Sequence, residues 1–240
     1  MKKNFSLICI AFAFLAALES CVYVNSQDNI PPRGTGTRTY DFRNFDEIEM
    51  GSAFDVRVVQ GTAFAVSATG ERNDLDDLNV FVQDGKLVAR YNNSWKDRRD
   101  VMKIDIVMPD LEAADFSGAV NAWIEKFENL PELDLELSGA SKCTFNGSVR
   151  ELKFDLSGAS RLYLSGEGKY LDGELSGASQ IDAYDLPVEE SDLDLSGASS
   201  ARVAVSRFLD VDANGASSVF YKGNPAIEKK LSGGSTLRKE

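Results

Sequence analysis

The feature that most constrains the fold is a short peptide, Ser-Gly-Ala-Ser, that recurs with small variations through the second half of this 240-residue chain. Successive copies lie 18 to 21 residues apart. A spacing of this size is typical of one turn, or rung, of a solenoid and is too short for a propeller blade or a helical-hairpin repeat. The central glycines of the copies are Gly118, Gly139, Gly158, Gly177, Gly197, Gly215 and Gly233.

The residues on both sides of each glycine alternate between apolar and polar. Around Gly158, for example, Leu156, Leu162 and Leu164 are apolar and are separated by polar residues. A period of two predicts strands on both flanks, so the peptide itself is predicted to be the corner between them. Glycine permits a positive φ at such a corner, and serine hydroxyls can bond the local backbone. The repeats therefore predict an all-β fold, a parallel β-helix with rungs of about 19 residues.

An earlier copy of the pattern surrounds Ser52, which takes the glycine position. A much longer segment separates this copy from Gly118, and it contains further strand patterns and an Asp84-Gly85 hairpin turn. We predict that residues 40–111 form an antiparallel β layer that caps the N-terminal end. Residues 112–240 are predicted to be the rungs, so that 40–240 is a single domain.

The first residues predict export. Lys2 and Lys3 precede an apolar run, residues 5–18, which is too short to span a membrane but suits a signal peptide over residues 1–20. The sequence Leu18-Glu19-Ser20-Cys21 resembles a bacterial lipoprotein box, which implies a lipid on Cys21 and an anchor in the outer membrane of the cell envelope. The alternative is an ordinary cleaved signal with an incidental cysteine. Residues 21–39 are polar and are predicted to be a tether.

Composition excludes several functional classes. The chain has no histidine, which excludes a Ser-His-Asp or Cys-His catalytic set and an imidazole metal site. Its 38 acidic residues exceed its 26 basic ones, giving a net charge of −12, so no nucleic-acid partner is expected. Cys143 falls at an apolar position of its rung and is predicted to be a buried, unpaired residue.

The combination of a signal peptide, a strand region ending at Val107-Met108-Pro109, and repeated Ser-Gly-Ala-Ser rungs resembles the head GIN domain family of auto-transporter adhesins of Bacteroidetes-type bacteria. The resemblance covers about residues 40 to 240. It implies a right-handed, single-stranded β-helix related to pectate-lyase-like solenoids. It also implies adhesion at the cell envelope.

Carboxylates recur three and five residues before the glycines, so eleven of them are predicted to lie on one outward face. Such a ladder of like charges is either a solvated face or a site for calcium or a cationic partner. No other cofactor is expected. The candidate cation ladder is Glu136, Asp155, Glu174, Asp194 and Asp212.

Aromatic residues form a second candidate surface. Trp123, Tyr163 and Phe220 all lie five residues after their glycines, at a position predicted to point outward. Trp95, in a separate loop, is a further candidate. Exposed rings on a flat β face can stack on sugar rings, although single exposed aromatics are also normal.

We therefore predict a binding or adhesion scaffold that contacts glycans or another envelope component. The alternatives are a polysaccharide-active enzyme of the pectate-lyase type and a purely structural envelope protein. Catalysis is not expected, because the serines are repeated with no adjacent base and no convergent catalytic set is evident. The solenoid end at Leu237 has no polar cap, which predicts end-to-end or side-to-side self-association.

Overall fold

The computed structural model describes residues 31–93 and 99–240, and Pro32–Glu240 form one compact unit. The fold is 68% strand and 3% helix, a parallel β-solenoid of about seven turns with a spacing of about 19 residues. The predicted fold class is thus confirmed. The predicted signal peptide, Cys21 and Trp95 lie outside the described residues. Within the described ranges, no helix is long and apolar enough to cross a membrane.

The N-terminal region, residues 32–111, contains seven strands and one short helix. They are β1 (Thr35–Tyr40), β2 (Glu47–Met50), β3 (Phe54–Gln60), β4 (Ala65–Glu71), α1 (Arg72–Asp77), β5 (Leu78–Gln83), β6 (Lys86–Tyr91) and β7 (Met102–Met108).

The rungs, residues 112–240, contain the remaining strands. They are β8 (Ala113–Phe116), β9 (Asn121–Leu137), β10 (Lys142–Leu156), β11 (Arg161–Leu175), β12 (Gln180–Leu195), β13 (Ser200–Ala213), β14 (Ser218–Lys222), β15 (Ala226–Leu231) and β16 (Thr236–Lys239).

Each of β9 to β13 spans a whole rung and takes part in two parallel ladders. Its first residues follow one glycine corner, and its last residues precede the next. Equivalent residues of neighbouring rungs pair directly, as Cys143 does with Leu162 and Leu156 with Leu175. The predicted apolar columns therefore stack in the interior, where Phe145 and Leu164 are also buried. Burial raises the pKa of the Cys143 thiol, so it remains protonated and packs as a small apolar group.

The register shifts between neighbouring rungs fall in the middle part of each rung, away from the glycine corner. They occur at Asn146/Gly147 between β9 and β10, at Tyr163/Ser165 between β11 and β12, and at Ala183/Val188 between β12 and β13. These bulges absorb the small differences in rung length. We refer to this part of the rung as the second corner.

The glycine corners are closed by backbone contacts from rung to rung. Gly158 has φ +73°, and the Ala159 N–H donates to the Gly139 carbonyl at 2.7 Å. A Cβ on Gly158 would lie 2.5 Å from that same oxygen, so the corner has no room for a side chain. The buried Ser160 hydroxyl donates to the Ser157 carbonyl at 2.8 Å, as predicted for a structural corner serine.

The first rung is built by β2 and β3 around Ser52, which has φ +78°. Met50 pairs with Phe116 and Val56 pairs with Ala122, so Ser52 occupies the place of a rung glycine. The predicted early copy of the repeat is confirmed.

The remaining N-terminal strands include the predicted antiparallel pairs, and they also make parallel pairs that were not predicted. β4 pairs antiparallel with β1 and β7, and β5 pairs antiparallel with β6 through the predicted Asp84-Gly85 turn. However, β7 pairs parallel with β3, and β6 pairs parallel with β2, because these two strands extend the parallel ladders of the solenoid. β1 also begins at Thr35, so ordered structure starts inside the range predicted to be tether.

A largely buried ion cluster joins α1 to the loop that follows β6. The Arg99 guanidinium lies 3.3 Å from the Asp74 carboxylate and also contacts Asp77. It stacks 3.6 Å from the centre of the Tyr91 ring. Burial raises the pKa of the Tyr91 phenol, with the Asp74 charge adding to the shift.

The last rung departs from the predicted burial. Leu231 belongs to an apolar column that is buried in the earlier rungs, yet it is 38% exposed, and the neighbouring Ile227 is 39% exposed. No further rung of the described chain stacks on β15 and β16. Self-association through this end stays a prediction.

Candidate functional site

The solenoid presents two outward faces of different chemistry. The acidic face consists of the residues three and five before each corner glycine, on the strands that enter the corners. The mixed face consists of the residues three and five after each glycine, on the strands that leave them.

The predicted carboxylate ladder is in register on the acidic face. Each carboxylate three before a glycine pairs with its equivalent on the next rung, as Asp155 does with Glu136 and Glu174. The column extends beyond the prediction to Glu49 in β2, which pairs with Asp115. Its members in chain order are Glu49, Asp115, Glu136, Asp155, Glu174, Asp194 and Asp212.

Burial and neighbouring like charges raise the pKa of several of these carboxyl groups. Burial raises the pKa of Asp115, and the neighbouring Glu49 carboxylate adds to the shift. Burial likewise raises the pKa of Glu136, followed by the charges of Asp115, Asp134 and Asp155. The face therefore holds its negative charge at a cost in folding free energy, which a bound cation would offset.

Three lysines interrupt the negative charge, and the first is Lys86, which lies 3.3 Å from Glu47 at the N-terminal end of the face. The Lys153 ammonium bonds to Glu132 at 2.6 Å and lies 3.5 Å from Glu151. Lys230 lies 3.9 Å from Asp212 at the last rung. The carboxylates of the rungs between Lys153 and Lys230 have no such partner on their own columns.

The acidic face does not assemble a metal centre. In residues 31–93 and 99–240, no three Asp, Glu or Cys side chains converge closely enough to hold an ion. The carboxylates form rows along the stack instead of a cage, whereas calcium requires six to eight converging oxygens. The predicted ladder residues are thus aligned, but their arrangement gives no support to the calcium alternative.

The mixed face brings two of the predicted aromatics into line. Trp123 and Tyr163 are each 39% exposed and flank Thr144 of the intervening rung. Phe220 lies in the same column, three rungs from Tyr163, and is less exposed than either of these rings. The aromatic surface is therefore centred on the Trp123 and Tyr163 rungs.

Basic groups lie beside these rings. The Lys142 ammonium lies 5.0 Å from the centre of the Tyr163 ring, and Arg161 is the rung neighbour of Lys142. Arg202 pairs with Asp182 at 3.4 Å further along the face. The mixed face thus combines ring surfaces with hydrogen-bond donors, a composition typical of polar ligand surfaces.

One feature was missed by the sequence reasoning. A groove runs along the acidic face beside Tyr170 and Phe208, which lie seven residues before their glycines. The predicted carboxylate ladder used the positions three and five before each glycine, and these rings lie one outward position further away. Extending the same count by one outward position identifies them.

Arg161 and Arg202 do not converge with the carboxylate columns. These two arginines lie on the mixed face, whereas the carboxylate columns lie on the acidic face. The corner serines bond backbone carbonyls, as Ser179 does with Ser176 at 2.8 Å. These hydroxyls therefore make structural hydrogen bonds at the corners.

The sequence matches the model of a family described as "Putative auto-transporter adhesin, head GIN domain" over residues 44–225. The chain belongs to this family. Membership confirms the resemblance drawn from the repeats, and an adhesin family indicates an extracellular or cell-envelope location. None of the curated proteins matches the chain.

Solved structures share the fold at low sequence identity. A "putative adhesin" from Bacteroides fragilis NCTC 9343 superposes with a TM-score of 0.76 at 23% identity, covering 88% of this chain and 99% of its own. A "putative lipid binding protein" from Parabacteroides distasonis ATCC 8503 gives 0.70 at 21%, covering 88% and 99%. A "putative adhesin" from Parabacteroides merdae ATCC 43184 gives 0.70 at 19%, covering 86% and 96%. Neither the family nor these three structures is described as an enzyme.

Proposed function

We propose that this chain is a lipid-anchored envelope adhesin whose mixed face binds glycan chains. The observation that carries the proposal is the pair Trp123 and Tyr163, each 39% exposed on a parallel ladder with one rung between them. Strand spacing places the two side chains roughly 10 Å apart. Two rings at this separation offer two stacking platforms along an extended sugar chain.

Charge favours acidic glycans over neutral ones. Lys142 and Arg161 supply positive charge beside the rings. The acidic face carries seven carboxylates in the column from Glu49 to Asp212 and further carboxylates in the column beside it, so it repels such a chain. A carboxylated or sulfated polysaccharide is therefore directed to the mixed face.

A glycan array probed with the purified full-length protein tests this proposal. Trp123→Ala and Tyr163→Ala are each expected to weaken binding to the acidic glycans by at least about tenfold, because each removes a stacking platform. Phe220→Ala removes a ring from the same column far from the pair and is expected to have a smaller effect. Tyr170→Ala removes a ring from the acidic face and is expected to have none.

Two results would overturn glycan binding. One is an array with no acidic glycan bound by the wild-type protein. The other is equal loss in the Trp123→Ala and Tyr170→Ala variants, because binding would then not depend on the mixed face.

The anchor is tested separately. Residues 5–18 and the lipoprotein box ending at Cys21 support membrane attachment through a lipid. Cys21→Ser is expected to move the protein from the membrane fraction to the soluble fraction, and mass spectrometry should show loss of the lipid. Cys9→Ser is the control, because Cys9 lies within the predicted signal peptide. Continued membrane partition of Cys21→Ser would refute the lipid anchor.

A further inference from the structure

The last rung carries lysines at two positions that face the interior in the earlier rungs. Lys229 in β15 pairs with Val211, which is fully buried. Lys239 in β16 pairs with Tyr221, in the same column as the fully buried Val203. One inward position on each of the last two strands therefore changes from apolar to charged.

Both lysines are exposed, although their backbone positions continue inward columns. The Lys239 ammonium donates a hydrogen bond to the Asn224 side-chain oxygen at 3.3 Å, beside the second corner of this rung. Lys229 stands between Ile227 and Leu231, which are 39% and 38% exposed. A lysine can cover apolar neighbours with its methylene stem and keep its charge in water. The apolar columns thus end beside charges that remain solvated.

The edge that these lysines occupy is well ordered. No other strand of the described chain pairs with the outer edges of β15 and β16. The end of β16 is fastened to earlier rungs, because the Glu240 N–H donates to the Tyr221 carbonyl at 2.9 Å and the Tyr184 hydroxyl donates to the Glu240 carboxylate at 2.9 Å. An ordered edge with free backbone groups is a template on which another chain can add a strand.

We propose that Lys229 and Lys239 form a charged cap that prevents a second copy of the chain from adding to this end of the solenoid. A strand stacked on β15 or β16 would enclose their ammonium groups in the apolar interior. Burial of an unpaired charge is far more costly than the exposure of two partly covered apolar side chains. Inward-pointing charge is one of the devices by which natural sheets protect an edge.

The register of β15 shows why a symmetric pair of copies is opposed. In an antiparallel pair of two β15 strands, the register that aligns Ile227 with Leu231 of the second copy also places Lys229 opposite Lys229. Like charges directly opposite each other destabilise a strand pair. The register that covers both apolar residues is therefore the one that brings the two ammonium groups together.

This cap is the opposite of the self-association expected from Leu237. Leu237 continues an apolar column, but Lys239 occupies the next inward position of the same strand. Each solenoid therefore remains a single unit, whatever its mixed face binds.

Native mass spectrometry of the full-length protein, released from a nonionic detergent, tests the proposal. The wild-type protein is expected to be a monomer at micromolar concentrations. Lys229→Val/Lys239→Val places at both positions the residue type found in earlier rungs of the same columns. This variant is expected to form dimers or longer assemblies, with at least double the monomer mass, because the edge no longer carries inward charge.

Lys230→Val/Arg238→Val is the matched control, because it removes two charges from the same two strands at outward positions. It is expected to remain a monomer, as is Lys229→Arg/Lys239→Arg, which keeps both inward charges. Circular dichroism checks that each variant is folded. Should the double valine variant not fold, Lys229→Met and Lys239→Met remove one inward charge each and are expected to associate to a smaller extent.

Hydrogen exchange identifies the surface through which any assembly forms. Strand addition at this end should slow amide exchange in β15 and β16 of the assembled variant relative to its monomer. Assembly without such protection would mean that the two lysines do not guard this edge.

Three further results would overturn the proposal. The first is a wild-type protein that assembles with protection of β15 and β16, a measurement that needs no variant. The second is a set of folded variants lacking the inward charges that all remain monomers. The third is equal association of the inward and outward double variants, because total charge and not its position would then be the cause. None of these results bears on glycan binding at the mixed face.

Discussion

The N-terminal region and the rungs build the same two ladders by different means. In the rungs, one backbone arrangement is repeated, with glycine stacked on glycine at each corner. In the N-terminal region, contacts occur once each, such as the ring pair Phe54 and Tyr91 at 5.1 Å and the ion cluster of Arg99. Repetition lets the rungs rely on close backbone approach, whereas the region that begins the solenoid depends on particular side chains.

The corner residues show the difference most directly. A Cβ on Gly139 would lie 2.5 Å from the Gly118 carbonyl oxygen, because it points toward the preceding rung. A Cβ on Gly118 would lie 3.1 Å from the Ser52 oxygen. Ser52 holds the same position in the first rung and carries a side chain there, at φ +78°. The corners that stack glycine on glycine thus leave less room for a Cβ than the corner that stacks on Ser52.

The largest expected effect follows from breaking a corner in the middle of the rungs. Gly158→Ala combines a positive φ with a Cβ 2.5 Å from the Gly139 oxygen. It should lower the free energy of unfolding by at least about 3 kcal/mol, measured by urea denaturation. Gly34→Ala is the control, because Gly34 has φ +80° but nothing within 4 Å of its Cβ position, and it should cost about 1 kcal/mol. Equal losses in the two variants would show that backbone contact does not matter.

The next effect tests the side-chain contacts of the N-terminal region. Arg99→Ala leaves Asp74, whose side chain is 3% exposed, without the guanidinium that contacts it. The free energy of unfolding should fall by about 2 to 3 kcal/mol. Arg57→Ala breaks an exposed pair with Glu125 and should cost less than about 1 kcal/mol in the same assay. If both variants lost the same amount, burial of the ion cluster would not be the source of its contribution.

A smaller effect, of opposite sign, is expected at the first corner. Ser52→Gly relieves a positive φ of +78° at a residue with a Cβ. Thermal and urea denaturation should show a gain of about 1 kcal/mol. A loss of stability would mean that the Ser52 side chain makes a contribution larger than the backbone strain.

The smallest effect concerns the acidic face, whose carboxylates stack only because the rungs repeat. Burial and neighbouring carboxylates raise the pKa of Asp192 above 3.8, the value of the free side chain. The folded state therefore binds the proton more readily than the unfolded chain, so this group adds stability as the pH falls through its folded pKa toward about 4. Asp192→Asn should remove that part of the rise, measured by denaturation between about pH 7 and about pH 4.

Asp76 in the N-terminal region is the control for the pH experiment. A hydrogen bond from Arg33 holds its pKa below 3.8, so its contribution to stability is present at neutral pH and is lost as the pH falls through the unfolded and then the folded pKa. Asp76→Asn should therefore remove no rise in stability on acidification, and should instead reduce the loss of stability that begins near about pH 4. If the free energy of unfolding changed with pH in the same way in Asp192→Asn and in the wild-type protein, Asp192 would have the same pKa in the folded and the unfolded chain.

The same comparison explains what could be predicted from the sequence. In the rungs, distance from the glycine determines whether a residue such as Leu162 or Tyr163 points inward or outward, because every rung repeats the geometry of the last. In the N-terminal region, the positions of α1, of β6 beside β2 and of β7 beside β3 depend on single contacts between distant residues. One of these is the contact of Arg99 with Asp74. No local pattern encodes such contacts.

The candidate surfaces also differ in how far the repeat could predict them. The alignment of Trp123 with Tyr163, and of Asp155 with Glu174, followed from the repeat. The groove depends on Ser191 replacing an apolar residue in one column and on two rings at one further outward position. Ser191 is a departure from the repeat, so a count of what the rungs share could not reveal it, whereas extending that count by one outward position reveals the two rings.

The second corner tolerates differences in the number of residues per rung, whereas the glycine corners do not. Differences in rung length are taken up by bulges at positions such as Asn146/Gly147 and Ala183/Val188, while both ladders keep their register. Loops inserted at this edge would leave the spacing of the carboxylate columns and of the aromatic column unchanged. Evolution, or a protein engineer, can therefore vary one edge of the molecule as a site for new recognition loops while its two faces stay constant.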